Sequence, residues 1–230
     1  NIYSDTSLGT SFTTSMFSLS KSGGTATLDS TTPSSIDVSN SIVTLGISLS
    51  GTADGSETIT VSIVSSSTIF DNLGQSASES QSNNEVNMND KTLPIISGVS
   101  LSSDNSELSV TVSELIYNTN SGSGSLTTSS FSLYITGGDA TISSTPSSIS
   151  VSSSGLIYTL GLSLTGTPTG LELLTILPTS STSVYDVNGN AMSTTQSNNF
   201  LYLNDQSSPY ITAISVDNTN TSVTVTFSEA

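Results

Sequence analysis

Leu108-Ser109-Val110-Thr111-Val112-Ser113-Glu114 alternates apolar and polar side chains without a break, and the pattern returns as Val223-Thr224-Val225-Thr226-Phe227-Ser228-Glu229. A period of two is the mark of a half-buried β-strand. The offset between the two stretches is 115 residues, and other landmarks keep it: Gln81-Ser82-Asn83-Asn84 returns as Gln196-Ser197-Asn198-Asn199, Asn89-Asp90 as Asn204-Asp205, and Gly46 as Gly161. A period of that length is far too long for a solenoid unit and normal for a whole small domain. The chain reads as tandem copies of one domain: residues 1–89 form a first repeat incomplete on its N-terminal side, 90–205 a complete repeat, and 206–230 the first strands of a third. It opens just past the motif at which it closes, so a window on a longer array is expected.

Within the complete copy, Phe131, Leu133 and Ile135 mark another strand, Tyr158, Leu160, Leu162 and Leu164 a third, and Leu201 with Leu203 the last. Gly137-Gly138, Ser153-Ser154-Gly155 and the stretch from Gly166 to Gly170 are the breaks between them, with Ser103-Asp104-Asn105 as a further turn. No segment carries a helical period. About seven short strands in about 115 residues is the pattern of an immunoglobulin-like β-sandwich, so the fold class is all-β, as tandem sandwich repeats. A closed barrel is the alternative. Counting antiparallel strands places the segment after Glu114, the Ser153 turn and the loop at Asp186 at the domain end that the chain enters beside Asn89-Asp90. Glu57 and Glu172 then fall at the opposite end.

Charged residues are only 9% of the chain, apolar residues 33%, and the net charge is −16. Ordinary soluble domains carry about 25% charge, so Ser, Thr and Asn supply this polar surface, as suits extracellular stalks and adhesins. Regular alternation of Val, Ile and Leu argues against disorder. With no Cys, His, Trp or Arg, and with Lys21 and Lys91 as the two cationic side chains, thiol, imidazole and guanidinium chemistry are excluded. Catalysis is not expected. Nucleic acid and anionic lipid both require cationic partners and are likewise not expected. No apolar run long enough for a membrane span and no signal peptide is present, as an internal segment would show.

The acidic residues point to cations. Glu114 shares parity with Leu108, Val110 and Val112, so the pleat turns it toward the core face at the strand's end, and Glu229 repeats it. Three carboxylates, Asp90, Glu114 and Asp186, brought to about 5 Å would repel one another pairwise by roughly 3 kcal/mol at an effective dielectric of about 20. A positive ion should sit among them. An all-oxygen donor set suits a hard ion, and Ca²⁺ tolerates an irregular cluster better than Mg²⁺, with affinities of about 10⁻⁴–10⁻³ M usual in extracellular modules. Asp186-Val187-Asn188-Gly189-Asn190 is similar to a short calcium loop, with oxygen donors on alternate positions. Asp71-Asn72-Leu73-Gly74-Gln75 is its weaker copy, with Leu73 where the second has Asn188. A plain Asx turn is the alternative for either loop. Asp205 repeats Asp90. Glu57 and Glu172 serve as edge carboxylates that discourage strand pairing or as further ligands. Phe200 and Tyr202 read as a packed cross-strand pair or as a ligand-contact stripe.

Four motifs together resemble the bacterial immunoglobulin-like repeats of giant cell-surface proteins, of the kind described from swimming marine cyanobacteria and gliding bacteria. They are Ser113-Glu114; Phe131-Ser132-Leu133 followed by Gly137-Gly138; the stretch from Tyr158 to Gly166; and Tyr185-Asp186 through Asn204-Asp205. Leu203-Asn204-Asp205 with Pro209 also resembles the calcium linker of cadherins. The resemblance implies an extracellular, tandemly repeated stalk of an adhesin or motility protein, giving reach and stiffness, with neighbouring repeats as partners. On this expectation Ca²⁺ ties Asp90 to Glu114 and the Asp186 loop, and each module adds roughly 35–40 Å. A self-assembling filament subunit with lateral contacts, or a module that binds surface polysaccharide or other cells, are the alternatives.

Overall fold

The computed structural model describes residues 1–228, and the chain divides into two units, Asn1–Thr92 and Leu93–Ala230. In the first, β1 (Phe17–Ser22), β2 (Thr27–Leu28), β3 (Ile36–Ser39), β4 (Ile42–Leu45), β5 (Leu49–Ser50), β6 (Thr58–Ile63) and β7 (Glu85–Asn87) follow in chain order. They pair as β1-β6-β7, β3-β4 and β2-β5. Phe17, Leu19 and Ile59 turn inward.

The second unit supplies β8 (Ile96–Leu101), β9 (Glu107–Val112), β10 (Phe131–Thr136), β11 (Thr141–Ile142), β12 (Ser148–Val151), β13 (Ile157–Gly161), β14 (Leu164–Thr165), β15 (Leu173–Pro178) and β16 (Phe200–Tyr202). One sheet runs β12-β13-β9-β8 and the other β10-β15-β16, with β11-β14 as a short extra pair. In order of appearance these are strands D-E-B-A against C-F-G, the constant-type immunoglobulin arrangement. Alternate residues from both sheets meet in the core: Leu108, Val110 and Leu160 from one, Phe131, Leu133, Leu174 and Ile176 from the other. Phe131 and Tyr158 make an edge-to-face ring contact at 6.4 Å, a geometry that aromatic quadrupoles favour. The sheets stay open, so the barrel alternative falls away, and no described helix is long and apolar enough to cross a membrane.

The recurrent Gln-Ser-Asn-Asn motif is structural. Asn199 is buried and exchanges two bonds with β15: Ile176 N donates to its carbonyl (2.9 Å), and its Nδ2 donates to Ile176 O (2.7 Å). Asn84 does the same with Val61 in the first unit, both bonds at 2.8 Å. Gln196 Oε1 accepts from Ile96 N at 2.9 Å, tying the motif to the start of β8.

Beyond this sandwich, β17 (Ile211–Val216) and β18 (Val223–Phe227) form a hairpin. It repeats β8–β9 at the 115-residue offset, down to the register shift between Ile211 and Ala213 that matches the one between Ile96 and Gly98.

Candidate metal centre

Val112 pairs with Ile96 at the end where the chain enters the second unit, so Glu114, two residues on, lies at that end. Asp186 arrives there through a turn closed by bonds from Asp186 N to Asn190 O (3.0 Å) and from Gly189 N to Asp186 O (3.4 Å). Gly189 has φ 84°, and a side chain there would collide with Asn120 O. Glu114 and Asp186 each bring a carboxylate oxygen within 4.8 Å of the other. Asp186 is fully buried, while Glu114 is half-buried.

The Asp186 carboxylate first serves its own loop. Oδ1 accepts from Asn188 N (2.8 Å) and Asn190 N (2.7 Å), and Oδ2 from Asn190 Nδ2 (2.7 Å). A carboxylate has about four lone-pair sites, so one remains for an ion, and Asp186 can ligate only through one oxygen. The donors here are oxygen throughout, which fits Ca²⁺. The rest of its six to eight ligands would be Glu114, carbonyls and water.

Asp71 repeats the turn in the first unit, with Oδ1 accepting from Leu73 N and Gln75 N, both at 2.8 Å. Leu73 stands in solvent at 77% exposure and supplies no oxygen where Asn188 stands in the second copy. Asp90 Oδ1 accepts from Thr92 N at 2.8 Å and from Thr92 Oγ1. Asp205 Oδ1 likewise accepts from Ser207 N (2.8 Å) and Ser207 Oγ (2.7 Å). Asp-x-Ser/Thr is thus the shared linker turn. Glu229 lies outside the described residues.

Glu57 and Glu172 are not exposed edge carboxylates; each accepts a set of backbone amides. Both are fully buried. Glu172 Oε1 accepts from Asp139 N (2.8 Å), Ala140 N (3.1 Å) and Thr169 Oγ1 (3.2 Å), and Oε2 from Thr169 N (2.9 Å). Glu57 accepts from Ala26 N (2.9 Å), Asp54 N (3.0 Å) and Gly55 N (3.1 Å). Burial pushes the Glu172 carboxyl up, but the amides of Ala140, Thr169 and Asp139 outweigh it and bring it from 4.5 to about 2. Burial also opposes the charged form of Glu57, and its backbone donors, Ala26 first, hold it below its ordinary value. Gly24 and Gly138, at φ 58° and 59°, lie where any side chain would overlap these carboxyl groups. The glycine pair and the glutamate, far apart in sequence, form one device: a buried anion held by a ring of amides.

A buried neutral carboxamide closes the hairpin tip. Asn105, 1% exposed and at φ 59°, donates Nδ2 to Asn204 O (2.8 Å) and accepts from Asn204 N (2.9 Å). Asn204 Nδ2 donates to Ser102 O at 2.9 Å. The recurrence of Asn89 as Asn204 was the signal available in sequence; its partner was not. Phe200 and Tyr202 face Thr175 and Leu173 across the sheet, and their rings stay 54% and 64% exposed, so they are not a packed pair.

No family model matches the chain, and no curated protein does. Among solved structures it is similar to part of the S-layer protein rSbsC(31-844), at 20% identity and TM-score 0.36, over 55% of this chain and 15% of that one. The N-terminal part of the bacterial S-layer protein SbsC gives 21%, 0.36, 54% and 26% in the same measures. Domains 1–6 of SbsC give 21%, 0.36, 59% and 18%. The chain therefore spans about a quarter or less of each, and a superposition this partial carries no argument about function.

Proposed function

We propose that this chain is a structural repeat segment of a long extracellular cell-surface protein, an adhesin or motility filament, and that Ca²⁺ stiffens it as a stalk. The observation that carries the reading is the repetition itself. Two copies of one β-sheet plan share their strand registers, their buried Glu anchors and the same Asp-x-Ser/Thr linker turn. In a chain so poor in catalytic side chains, what is repeated is architecture.

The Ca²⁺ would sit at the entry end of the complete module, on Glu114 and the one uncommitted position of Asp186. Asp90, in the segment that leads into β8, supplies a third carboxylate. With one negative charge on each side chain, the ion offsets the mutual repulsion and fixes the linker to the module it enters. Neighbouring modules of the same chain are then the principal partners.

Single-molecule force spectroscopy of the chain tests this. The complete module should unfold in one step that releases about 360 Å, from about 115 residues at about 3.5 Å each less the folded length, and Ca²⁺ should raise the force of that step. Extension without a discrete step would overturn the stalk reading, and a step indifferent to Ca²⁺ would remove calcium from it.

A further inference from the structure

The outer face of the β10-β15-β16 sheet, in the complete unit, carries three exposed rings. Tyr134, Thr175 and Phe200 lie directly opposite one another across the three strands, and Leu173 pairs with Tyr202 in the next row of that face. Tyr134 is 45% exposed and Phe200 and Tyr202 more so, while Thr175 between the rings is only 9% exposed. The small side chain is the floor of a recess of about 350 Å³, with Tyr134 and Phe200 as its walls.

The first unit shows that the fold does not require these rings. Its β1-β6-β7 sheet keeps the same registers, with Ser20, Thr60 and Glu85 in the places of Tyr134, Thr175 and Phe200, and with Thr58 and Asn87 in those of Leu173 and Tyr202. There the face is closed by polar cross-strand bonds, from Thr58 Oγ1 to Asn87 Oδ1 (3.0 Å) and from Thr60 Oγ1 to Glu85 Oε1 (3.3 Å). A ring left in water contributes little to folding, because apolar stabilisation follows the area removed from water. Since one copy builds this face from Ser, Thr, Glu and Asn, the rings of the other serve a contact outside the module.

We infer that this recess binds a neutral polysaccharide, an activity that goes beyond the stalk reading and stands without it. No residue lining the recess is charged, so an ionic ligand would give up hydration there without meeting an opposite charge. The ligand is therefore neutral. Neighbouring strands run about 4.8 Å apart, which sets the strands of Tyr134 and Phe200 about 9.6 Å apart; a flat ligand in carbon contact with a ring on each side needs about 7–8 Å. A pyranose ring suits this slot, because its C–H faces are drawn to the negative faces of aromatic rings. Its hydroxyls then meet Thr175 on the floor and the exposed Thr194 and Thr195 on the rim. A peptide is poorly matched to the same place, since β15 beneath the recess is already paired along both edges.

Affinity electrophoresis of the whole 230-residue chain tests the site, in native gels holding hydroxyethylcellulose, dextran or galactomannan, with alginate as the anionic counterpart. Relative to a gel without polymer, at least one neutral polysaccharide should slow the wild type at least twofold, and alginate should not. The paired change Tyr134→Ser with Phe200→Glu installs the residues that the first unit carries at the same register positions. The fold should therefore survive it, which circular dichroism will verify, while the retardation is lost. Tyr210→Ser removes an exposed ring elsewhere in the chain and should leave the retardation intact. Migration unchanged by all three neutral polymers overturns the proposal, as does retardation that survives the paired change or that alginate reproduces. If no neutral polymer retards the chain and the paired change abolishes self-association in sedimentation velocity, the rings serve contact between copies instead.

Discussion

Replacing Glu172 probes the buried anion that fixes the exit end of the complete module. Its carboxylate accepts three backbone amides and one hydroxyl at 2.8–3.2 Å in full burial. Hydrogen bonds to a charged group contribute about 1.5–3 kcal/mol each, and a stranded buried donor costs about 1–3 kcal/mol. The amides of Asp139 and Thr169 can recover water when the side chain is lost, whereas that of buried Ala140 has less access. Glu172→Ala should therefore destabilise the unit by about 3–5 kcal/mol, a large part of the 5–15 kcal/mol usual for a domain. Glu172→Gln should cost less, about 1–3 kcal/mol, because its carbonyl can keep Asp139 and Ala140 while its NH₂ meets the Thr169 amide donor to donor. The pH dependence follows from a folded-state pKa of about 2 against 4.5 for the free group. A depressed pKa contributes stability that is complete above the unfolded value and is lost as pH falls toward the folded one. Urea unfolding can be followed by tyrosine fluorescence, since six of the 7 tyrosines, all but Tyr3, lie beyond residue 92. The gap between wild type and Glu172→Gln should be full at neutral pH and close progressively between pH 4.5 and about 2. A Gln variant as stable as wild type at neutral pH, or a gap that persists unchanged to the acid end, would refute the reasoning.

Asn105→Ala removes both bonds to Asn204 and puts a Cβ-bearing residue without a local hydrogen bond at φ 59°; a loss of about 2–4 kcal/mol in chemical denaturation is expected, and Asn105→Gly should recover about 1 kcal/mol of it. Gly138→Ala should be worse tolerated than Gly74→Ala, because the first would overlap the Glu172 carboxyl and the second faces open space at φ 75°. Thermal melts should show the Gly74 variant within about 1–2 kcal/mol of wild type and the Gly138 variant well beyond it. Asp186→Asn leaves an oxygen for the loop amides but removes the charge, so calorimetric Ca²⁺ binding should weaken at least tenfold while the fold in EGTA survives; unchanged binding would place the ion elsewhere.

The sandwich was legible where one face of a strand is buried and the other wet. Leu108, Val110 and Val112 alternate with Ser and Thr, and so does Phe131-Ser132-Leu133, because half-buried strands must. β15 was harder: Leu173-Leu174-Thr175-Ile176-Leu177 carries apolar residues on both faces between β10 and β16, which erases the period. The two-residue strands β11 and β14 are too short to carry any period. Glu172 was misread as an edge carboxylate because the amides that hold it, at Asp139 and Ala140, come from more than thirty residues away and sit behind a Gly-Gly turn. Asp186 and Asp71 were legible as candidate turn-forming acids from their local sequence, whereas Asp90 and Asp205 were read only as linker carboxylates and their Asp-x-Ser/Thr turns emerged from the structure. Recurrence singled out Asn89 and Asn204 without revealing the hairpin-tip clamp, since a hydrogen bond to a residue 99 positions away leaves no local trace.

The most direct test of the calcium-stiffened stalk is thermal unfolding of the chain in excess EGTA and then in millimolar Ca²⁺, with small-angle scattering on both samples. The account predicts a clear rise in melting temperature together with a longer, stiffer particle in Ca²⁺. Identical melting temperatures and scattering profiles in the two conditions would contradict it.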